Sequence, residues 1–394
     1  MRLAGVPITL GSYPAKTTTN RQFAGRIPEF LDRIHLPSAL SGLVDQRPDR
    51  IESFLEDDNR GAVSASPIAE LDGLPFFLSI KGIGSTMDPF SQSPLDGRAA
   101  ERLTDDPDVR RRLAEPTFPP GAGEADRLVT GERWLRGSPY GGQGLEHASI
   151  ALGVSERASL TSLNGFLIAP VVKIAHFPPD LQERIRSLHW YRRFRGPIVQ
   201  ELRLVPSNVR IYFHARNTLG TDVRHVFERF GLSSDGAALG FETAFVRSGI
   251  ALLTLFARTL RRHPTTGHYL GFDFLDVWLD KDAVLAPNGS AYFVDLEGIE
   301  EVEVEASRVA EKIEDQVYRG LYEFLFAYEQ IEQERARRFG GERPRKAHLT
   351  EVVEEALRDE PFVRVARRPQ GVELQIRNPL LDSSLYTAFP LVDP

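Results

Sequence analysis

The sequence contains no cysteine, and this absence excludes several classes of protein. Without thiols the chain can form no disulfide framework, no zinc–thiolate or iron–sulfur centre and no cysteine nucleophile. It also lacks an uninterrupted run of about 18 apolar residues, the length that a membrane-spanning helix needs. Its first residues, 1–7, lack the apolar core of a signal peptide. We therefore expect a cytoplasmic protein that does not contact a membrane.

The sequence also has little net charge of either sign. Its 48 Lys and Arg residues nearly balance 55 Asp and Glu residues, and the formal charge of -7 supplies no chain-wide attraction for nucleic acid or an anionic membrane. Hydrophobic residues make up 41% and charged residues 26%, which is typical of a globular protein and not of a disordered one. A chain of 394 residues is long enough for two or three lobes. We expect a large folded protein with no strong nucleic-acid signal.

Three short apolar runs follow one another after a Pro-, Gly- and Thr-punctuated start: residues 51–55, 61–65 and 74–81. Turns rich in Asp, Asn and Gly separate them, which is typical of consecutive antiparallel strands. The pattern predicts a three-stranded meander. We interpret residues 1–50 as a lead-in that packs on a larger body.

Residues 82–140 are rich in Pro, Gly, Asp and Arg without a sustained period, which predicts a long functional or mobile insertion. Beyond it, apolar residues at three- and four-residue spacing predict helices over residues 145–160 and 240–262, within 300–339, and over 349–357. Apolar runs predict strands over residues 166–174 and 198–205, and two more near Phe362 and Val372. We interpret the glutamates between residues 300 and 305 as a solvated face or the start of the long helix.

An acidic segment precedes the strongest hairpin signal in the chain. Asp273, Asp276, Asp280 and Asp282 lie among apolar residues, and an Asn-Gly pair then separates two apolar runs within residues 283–295. A solvated loop is the simplest interpretation of the four aspartates. The apolar residues between them argue for partial burial, however, and buried carboxylates are costly without a cation. We therefore favour a metal site.

The order of these features resembles the nucleotide site of the protein-kinase-like superfamily. Gly61-Ala62-Val63-Ser64-Ala65, followed by Lys81 on an apolar strand, is similar to that family's glycine-rich loop and strand lysine. The family has several glycines in this loop, and this chain has one. The resemblance implies that Gly61 and Lys81 contact nucleotide phosphates, and that a helix glutamate, Glu146 or Glu156, positions Lys81.

Residues 282–297 resemble the family's stretch from its metal-binding Asn to its Asp-Phe-Gly triplet. By this resemblance Asp295 is the main magnesium ligand, and Asp282 supplies a second oxygen where the family has Asn. The family's catalytic aspartate lies five residues before that Asn, at Val277 in this chain, so Asp276 or Asp273 would act near the acceptor. The family's His-Arg-Asp and Ala-Pro-Glu elements are absent, which favours an atypical member.

The implied fold is α+β and two-lobed, with an antiparallel-sheet N-lobe and a mainly helical C-lobe. The kinase-like part runs from about Ile51 to Glu297. The expected divisions are a lead-in over residues 1–50, an N-lobe over 51–206 with the insertion at 82–140, a C-lobe over 207–340 with a metal and catalytic loop at 268–297, and a small C-terminal α/β appendage over 341–394.

The implied activity is that of an atypical kinase-like transferase, which uses ATP and Mg²⁺ or Mn²⁺ to move a phosphoryl or nucleotidyl group. The acceptor is an unidentified small molecule, peptide or protein. Two alternatives remain open: a pseudokinase-type binding or scaffold module without catalysis, and a metal-dependent hydrolase built on the acidic segment with His268. The first would present the insertion to a partner, and the second would bind metal without affinity for a nucleotide.

Overall fold

In the computed structural model the chain folds into two compact units. The residues that the structure describes are 7–37, 49–57, 61–82, 143–187, 196–210, 226–275, 277, 279, 282–340, 346–369, 371–381 and 388–392. The predicted insertion lies outside them except for Gly82. We call Leu3–Glu156 with Pro170–Asn208 the sheet unit, and Met1–Arg2 with Arg157–Ala169 and Val209–Pro394 the helical unit.

The chain is of mixed α+β class with antiparallel sheets, which confirms the predicted class at this level. The strands are β1 (Pro7–Pro14), β2 (Lys16–Thr19), β3 (Arg33–Pro37), β4 (Asp49–Asp57), β5 (Gly61–Ser64), β6 (Ala69–Leu71), β7 (Leu74–Lys81), β8 (Gln143–Gly144), β9 (Ser162–Leu163), β10 (Phe166–Leu167), β11 (Val171–His176), β12 (Ile198–Val205), β13 (Arg261–Arg262), β14 (Tyr269–Phe274), β15 (Ala283–Leu285), β16 (Ala291–Phe293), β17 (Ile299–Val304), β18 (Val363–Arg368), β19 (Gly371–Ile376) and β20 (Ala388–Val392). The helices are α1 (Leu145–Arg157), α2 (Pro179–Ser187), α3 (Val226–Arg229), α4 (Asp235–Leu253), α5 (Leu255–Thr259), α6 (Val309–Phe339) and α7 (Lys346–Ala356).

The sheet unit is built on one ten-stranded sheet, whose main path runs in the order β2-β11-β12-β7-β5-β4-β1-β3. The predicted meander is confirmed, because β4 pairs with β5 and β5 pairs with β7, both antiparallel. The first 50 residues also contribute strands: β1 pairs with β3 and β4, and β2 pairs with β11. They form part of the sheet itself, which the local sequence pattern did not indicate.

Strand β12 lies inside this sheet, and all eight of its residues are buried. The side-chain amide of Gln200 on β12 bonds both backbone groups of His35 on β3, accepting from its N–H at 2.7 Å and donating to its carbonyl. Because β3 ends the strand order, the sheet curls until this edge approaches β12. The bonds satisfy backbone groups that an edge strand would otherwise leave to solvent. Burial lowers the pKa of His35 to about 4, so its ring is neutral at physiological pH.

Helices α4 and α6 pack closely in the helical unit because each presents a glycine to the other. A Cβ atom at Gly249 would lie 2.4 Å from the ring of Phe324, and one at Gly320 would lie 2.4 Å from Leu253. The Ser234 hydroxyl caps α4 by accepting from the Ala237 N–H at 3.2 Å. Helix α4 therefore begins before the predicted start at residue 240, and the predicted segment is divided into α4 and α5.

Glu300, Glu301 and Glu303 belong to strand β17, so of the two interpretations, a solvated face or the start of the long helix, the helix start is wrong. Strand β17 pairs antiparallel with β14 along its whole length, and α6 begins only at Val309. Two of these glutamates have partners from other segments: Glu301 contacts Arg157 and Arg261, and His268 lies 2.8 Å from Glu303. These partners are distant in sequence, so a local pattern could not indicate them.

Helix α4 is the one described helix with the length and apolar composition of a possible membrane span. It has 19 residues and a mean hydropathy of 1.2 over its most apolar window, 61% of which is buried inside the protein. A buried core helix meets the same criteria, so this is weak support for a membrane segment.

The C-terminal part contains the predicted helix as α7, and the two predicted strands as β18 and β19. A third strand, β20, pairs with β19. The Asn378 side chain donates to the Ala257 carbonyl at 2.6 Å and so ties this region to α5.

A cluster of buried charges joins α4, α6 and α7. Arg335 lies between the buried carboxylates of Glu242 and Glu332, at 3.0 Å and 3.5 Å, and His348 lies 3.4 Å from Glu242. Burial, and then the charge of Glu242, raise the pKa of Glu332 to about 7. Glu332 therefore carries a proton in the folded protein at a pH where it is ionised in the unfolded chain.

We predict that Glu332→Gln removes a pH dependence of stability. The native pKa is about 7 against an ordinary 4.5, so the native state binds the extra proton and the wild-type free energy of unfolding falls as pH rises across that range. The variant stays neutral and should exceed wild type above pH 7 by about 1–3 kcal/mol. Urea denaturation of both proteins at several pH values measures the difference.

Glu314→Gln, at an exposed position of the same helix, is the matched control and should follow the wild-type pH curve. Parallel curves for wild type and Glu332→Gln would contradict the prediction.

Candidate functional site

The predicted hairpin is confirmed as β15 and β16, which pair from Leu285–Ala291 to Ala283–Phe293. One step beyond the last pair, the Val294 N–H donates to the Asp282 carbonyl at 2.8 Å. Asp295 follows directly and precedes a 3-10 turn over Leu296–Gly298. The two candidate metal ligands, Asp282 and Asp295, therefore lie at the same open end of one hairpin.

The two aspartates differ in exposure: the Asp282 side chain is fully buried, whereas Asp295 is half-buried. Carboxylate oxygens are the ligands that Mg²⁺ and Mn²⁺ prefer. Among the described residues no group of three or more His, Asp or Glu side chains is placed to hold a metal ion. The hairpin thus offers two oxygen-bearing side chains, and Asp276 lies outside the described residues.

Neighbouring segments of the helical unit hold the hairpin on three sides. The Leu285 N–H donates to the Val209 carbonyl at 2.7 Å, and the Ala169 N–H donates to the Phe293 carbonyl at 2.8 Å. The Ser248 hydroxyl of α4 accepts from the Ala291 N–H at 3.0 Å. These bonds fix the backbone on which Asp282 and Asp295 are carried.

Gly289 occupies the hairpin turn with a positive φ of 94°. A Cβ atom there would lie 2.2 Å from the backbone oxygen of Phe241 on α4. The Asn-Gly pair of the sequence is thus required both by the turn and by the contact with this helix.

Asp273, a candidate catalytic residue, is held in an ion-pair network. Its fully buried carboxylate on β14 lies 2.6 Å from Arg319, contacts Lys312, and accepts from the Gln316 side chain at 2.9 Å. All three partners belong to α6. The arrangement ties β14 to that helix and favours a structural role for Asp273. Val277, where the resemblance would put the catalytic aspartate, is buried.

The histidines near the acidic segment have local partners. His268 lies 2.8 Å from Glu303, and the His263 ring accepts from the N–H groups of Thr265 and Thr266 at 3.3 and 3.2 Å. Hydrogen bonding by Thr266, and then the nearby histidines, lower the pKa of Glu303. His268 thus pairs with a residue of β17, and not with the aspartates of the predicted acidic segment.

Gly61 and Lys81 are adjacent in the sheet unit, because they are direct partners across β5 and β7. Lys81 is half-buried. Side chains at directly opposed positions of antiparallel strands share one face of the sheet. Glycine itself contributes no side chain to that face.

The two helix glutamates do not occupy equivalent places. Glu156 lies 3.8 Å from Arg21, and its carboxylate accepts from the Arg21 N–H at 3.2 Å. Glu146 is exposed in the first turn of α1, and has no polar partner among the described residues. The structure gives neither glutamate a contact with Lys81 in the part of the chain that it describes.

The sequence did not indicate that Glu201 is a neighbour of Lys81 in the sheet. It is the direct partner of Lys81 across β7 and β12, and it is fully buried. Arg203 lies 2.6 Å from its carboxylate, and the Gln143 side chain donates to it at 3.1 Å. The signal in the sequence was two opposite charges, two residues apart, inside an apolar strand.

We predict that Asp273→Asn destabilises the protein by about 3 kcal/mol, because it leaves Lys312 and Arg319 without their buried anion. The two cations are partly exposed, at 22% and 31%, so the loss should stay near the lower end for a broken buried pair. Urea denaturation measures it. Asp315→Asn removes the exposed carboxylate that contacts the same two cations, and should change stability by less than about 0.5 kcal/mol. Equal effects of the two substitutions on stability would contradict the structural role of Asp273.

We predict that Gly289→Ala destabilises the protein by at least about 2 kcal/mol, through backbone strain and the clash with Phe241. Gly240→Ala is the control, because nothing lies within 4 Å of a Cβ atom at that helical position. It should stabilise α4 by about 0.5–1 kcal/mol. Thermal denaturation of the two variants gives the comparison, and a tolerated Gly289→Ala would show that the turn is not fixed by α4.

Comparisons of the chain with protein-family models, curated proteins and solved structures give no significant match. The roles of the candidate residues are therefore inferred from their chemistry and their positions in the fold.

Proposed function

We propose that the protein is an atypical kinase-like transferase that uses ATP and Mg²⁺ or Mn²⁺ to move a phosphoryl or nucleotidyl group to a small molecule, a peptide or a protein. Gly61 and Lys81 bind the phosphates of the nucleotide, and Asp282 and Asp295 bind the metal ion. Asp276 acts near the acceptor. The fold proposed with this function is the two-lobed kinase-like one.

The observation that carries the proposal is the position of Asp282 and Asp295 at one end of a rigid hairpin. Transfer from ATP is catalysed mainly by positioning and by charge stabilisation, so carboxylates on a fixed backbone suit it. Carboxylate oxygens are also the ligands that Mg²⁺ and Mn²⁺ prefer, and each of these two residues offers them.

The adjacency of Gly61 and Lys81 supports the nucleotide part of the proposal. A lysine ammonium binds phosphate oxygens as a point charge. A glycine at a phosphate site allows the backbone to approach the phosphates closely.

A nucleotide-binding module without catalysis is the second candidate function. The ion pairs that Asp273 makes with Lys312 and Arg319 favour it. Both oxygens of that carboxylate contact cations of α6, so it is poorly suited to accept a proton from an acceptor. Such a module would bind ATP without consuming it. The metal-dependent hydrolase has less support, because Asp273 and His268 are engaged with different partners.

We predict that ATP raises the melting temperature of the protein only when Mg²⁺ or Mn²⁺ is present, since a ligand that binds the folded state stabilises it. At an ATP concentration about 100-fold above Kd the gain should approach 2.7 kcal/mol. Lys81→Met and Asp295→Asn should each abolish the rise. Mass spectrometry of the nucleotide products and of the protein then distinguishes phosphoryl transfer, AMP transfer and binding without turnover.

Glu300→Gln makes the same change of charge as Asp295→Asn, at an exposed position of β17, and should leave the rise intact. No rise in the wild-type protein at any ATP concentration would refute the nucleotide site. A metal-dependent rise without ATP would favour the hydrolase.

A further inference from the structure

The side chain of Glu332 on α6 is buried without a hydrogen-bond donor. It is 1% exposed, and neither of its carboxylate oxygens accepts a hydrogen bond from any described group. Arg335, one turn further along α6, lies 3.5 Å from one oxygen, which is longer than a normal hydrogen bond. An ionised carboxylate is costly to bury in such a place. The folded protein therefore favours the protonated form of Glu332.

The guanidinium of Arg335 is shared with other carboxylates. Its Nε lies 3.0 Å from the fully buried Glu242 of α4, and its Nη1 donates to the exposed Asp235 at 2.7 Å. Burial, and then the charge of Glu242, raise the pKa of Glu332 to about 7, and Glu329 on α6 acts in the same direction. Once Glu332 ionises, one guanidinium faces more carboxylate charge than it neutralises.

The first turn of α7 contacts this cluster through His348. The imidazole lies 3.4 Å from both Glu242 and Arg335, so neither contact is a well-formed hydrogen bond. A histidine readily gains a proton between pH 5 and 8, and a protonated ring would attract Glu242. The next residue, Leu349, is buried. The start of α7 is thus held by one apolar side chain and by weak polar contacts with the charged cluster.

The other end of α7 is anchored by contacts that involve no group of the cluster. The Arg247 side chain of α4 donates to the Ala356 carbonyl at 2.9 Å. Just beyond α7, Glu360 lies 3.0 Å from the buried Arg258 of α5. Helices α4 and α6 are held together separately by the close contacts at their glycines. The start of α7 is therefore the part that moves with the least loss of packing.

We propose that residues 348–352 of α7 form a pH-sensitive latch, which is closed while Glu332 is protonated and opens when Glu332 ionises. Opening admits water to the buried carboxylates while the far end of α7 stays attached. The closed state binds the extra proton, because its pKa is about 7 against an ordinary 4.5. Closure is therefore favoured at low pH and weakened as pH rises through about 7. None of these groups is a candidate residue of the proposed nucleotide site, so the latch is a separate device.

Because the chain has no cysteine, one introduced thiol reports the opening. Leu349→Cys places the thiol in the latch, and Leu357→Cys places it beside the anchored end, both at buried leucines. The ratio of their rates of labelling by a thiol reagent cancels the thiol's own pH dependence. We predict that this ratio rises about tenfold from pH 6 to pH 8, since Glu332 regains an ordinary pKa when the latch opens.

Substitutions in the same two proteins identify the titrating group. With Glu332→Gln the ratio should change by less than about twofold, because the carboxamide stays neutral. Glu314→Gln, at an exposed position of α6, should keep the full rise, and His348→Gln should keep most of it. Loss of the rise in His348→Gln but not in Glu332→Gln would overturn the role of Glu332.

Amide hydrogen exchange of the unsubstituted protein makes the test independent of how the cysteine variants fold. After correction for the intrinsic pH dependence of exchange, the first turns of α7 should lose protection about tenfold from pH 6 to pH 8, and the residues around Ala356 should not. Equal loss at both ends of α7 and in α4 would mean that the whole helical unit opens, and would refute the latch. Constant protection throughout would refute it as well.

Discussion

Three buried carboxylates, Asp273, Glu242 and Glu201, are each kept next to a cation, and two of these pairs link elements that are far apart in the sequence. Asp273 ties β14 to α6 through Lys312 and Arg319, and Glu242 joins α4 to α6 through Arg335. In the sheet unit, Glu201 is held by Arg203 on its own strand. An ionised carboxylate away from water is tolerated only with such compensation. The pairs therefore specify which elements lie together more than they add to net stability.

The features that the sequence predicted well are those set by neighbouring residues. The hairpin of β15 and β16 follows from an Asn-Gly pair between two apolar runs, and that turn chemistry is local. The meander of β4, β5 and β7 follows in the same way from short runs and turns. The candidate residues Asp282 and Asp295 flank this hairpin, and Gly61 and Lys81 lie in this meander, but their functional roles stay predictions.

The features that the sequence did not predict depend on partners far along the chain. The glutamates of β17 were interpreted as a solvated face or a helix start, because a partner such as Arg157 lies more than a hundred residues away in the sequence. Glu201 was overlooked since its relation to Lys81 exists only through the register of β7 and β12. The strands of the first 50 residues likewise form by pairing with segments that are distant in the sequence. Register is a property of the folded sheet, and local periodicity does not determine it.

Asp273 differs from the two hairpin aspartates in the elements that fix its position. Asp273 is engaged by three groups from one helix, so its substitution acts on the packing of β14. Asp282 and Asp295 instead lie at the open end of a hairpin whose backbone is bonded to Val209 and to Ser248 and whose turn abuts α4. Two oxygen-bearing side chains on a backbone fixed in this way suit the metal site that we propose. We therefore propose metal binding for Asp282 and Asp295, whereas the ion pairs of Asp273 indicate a structural role for that residue.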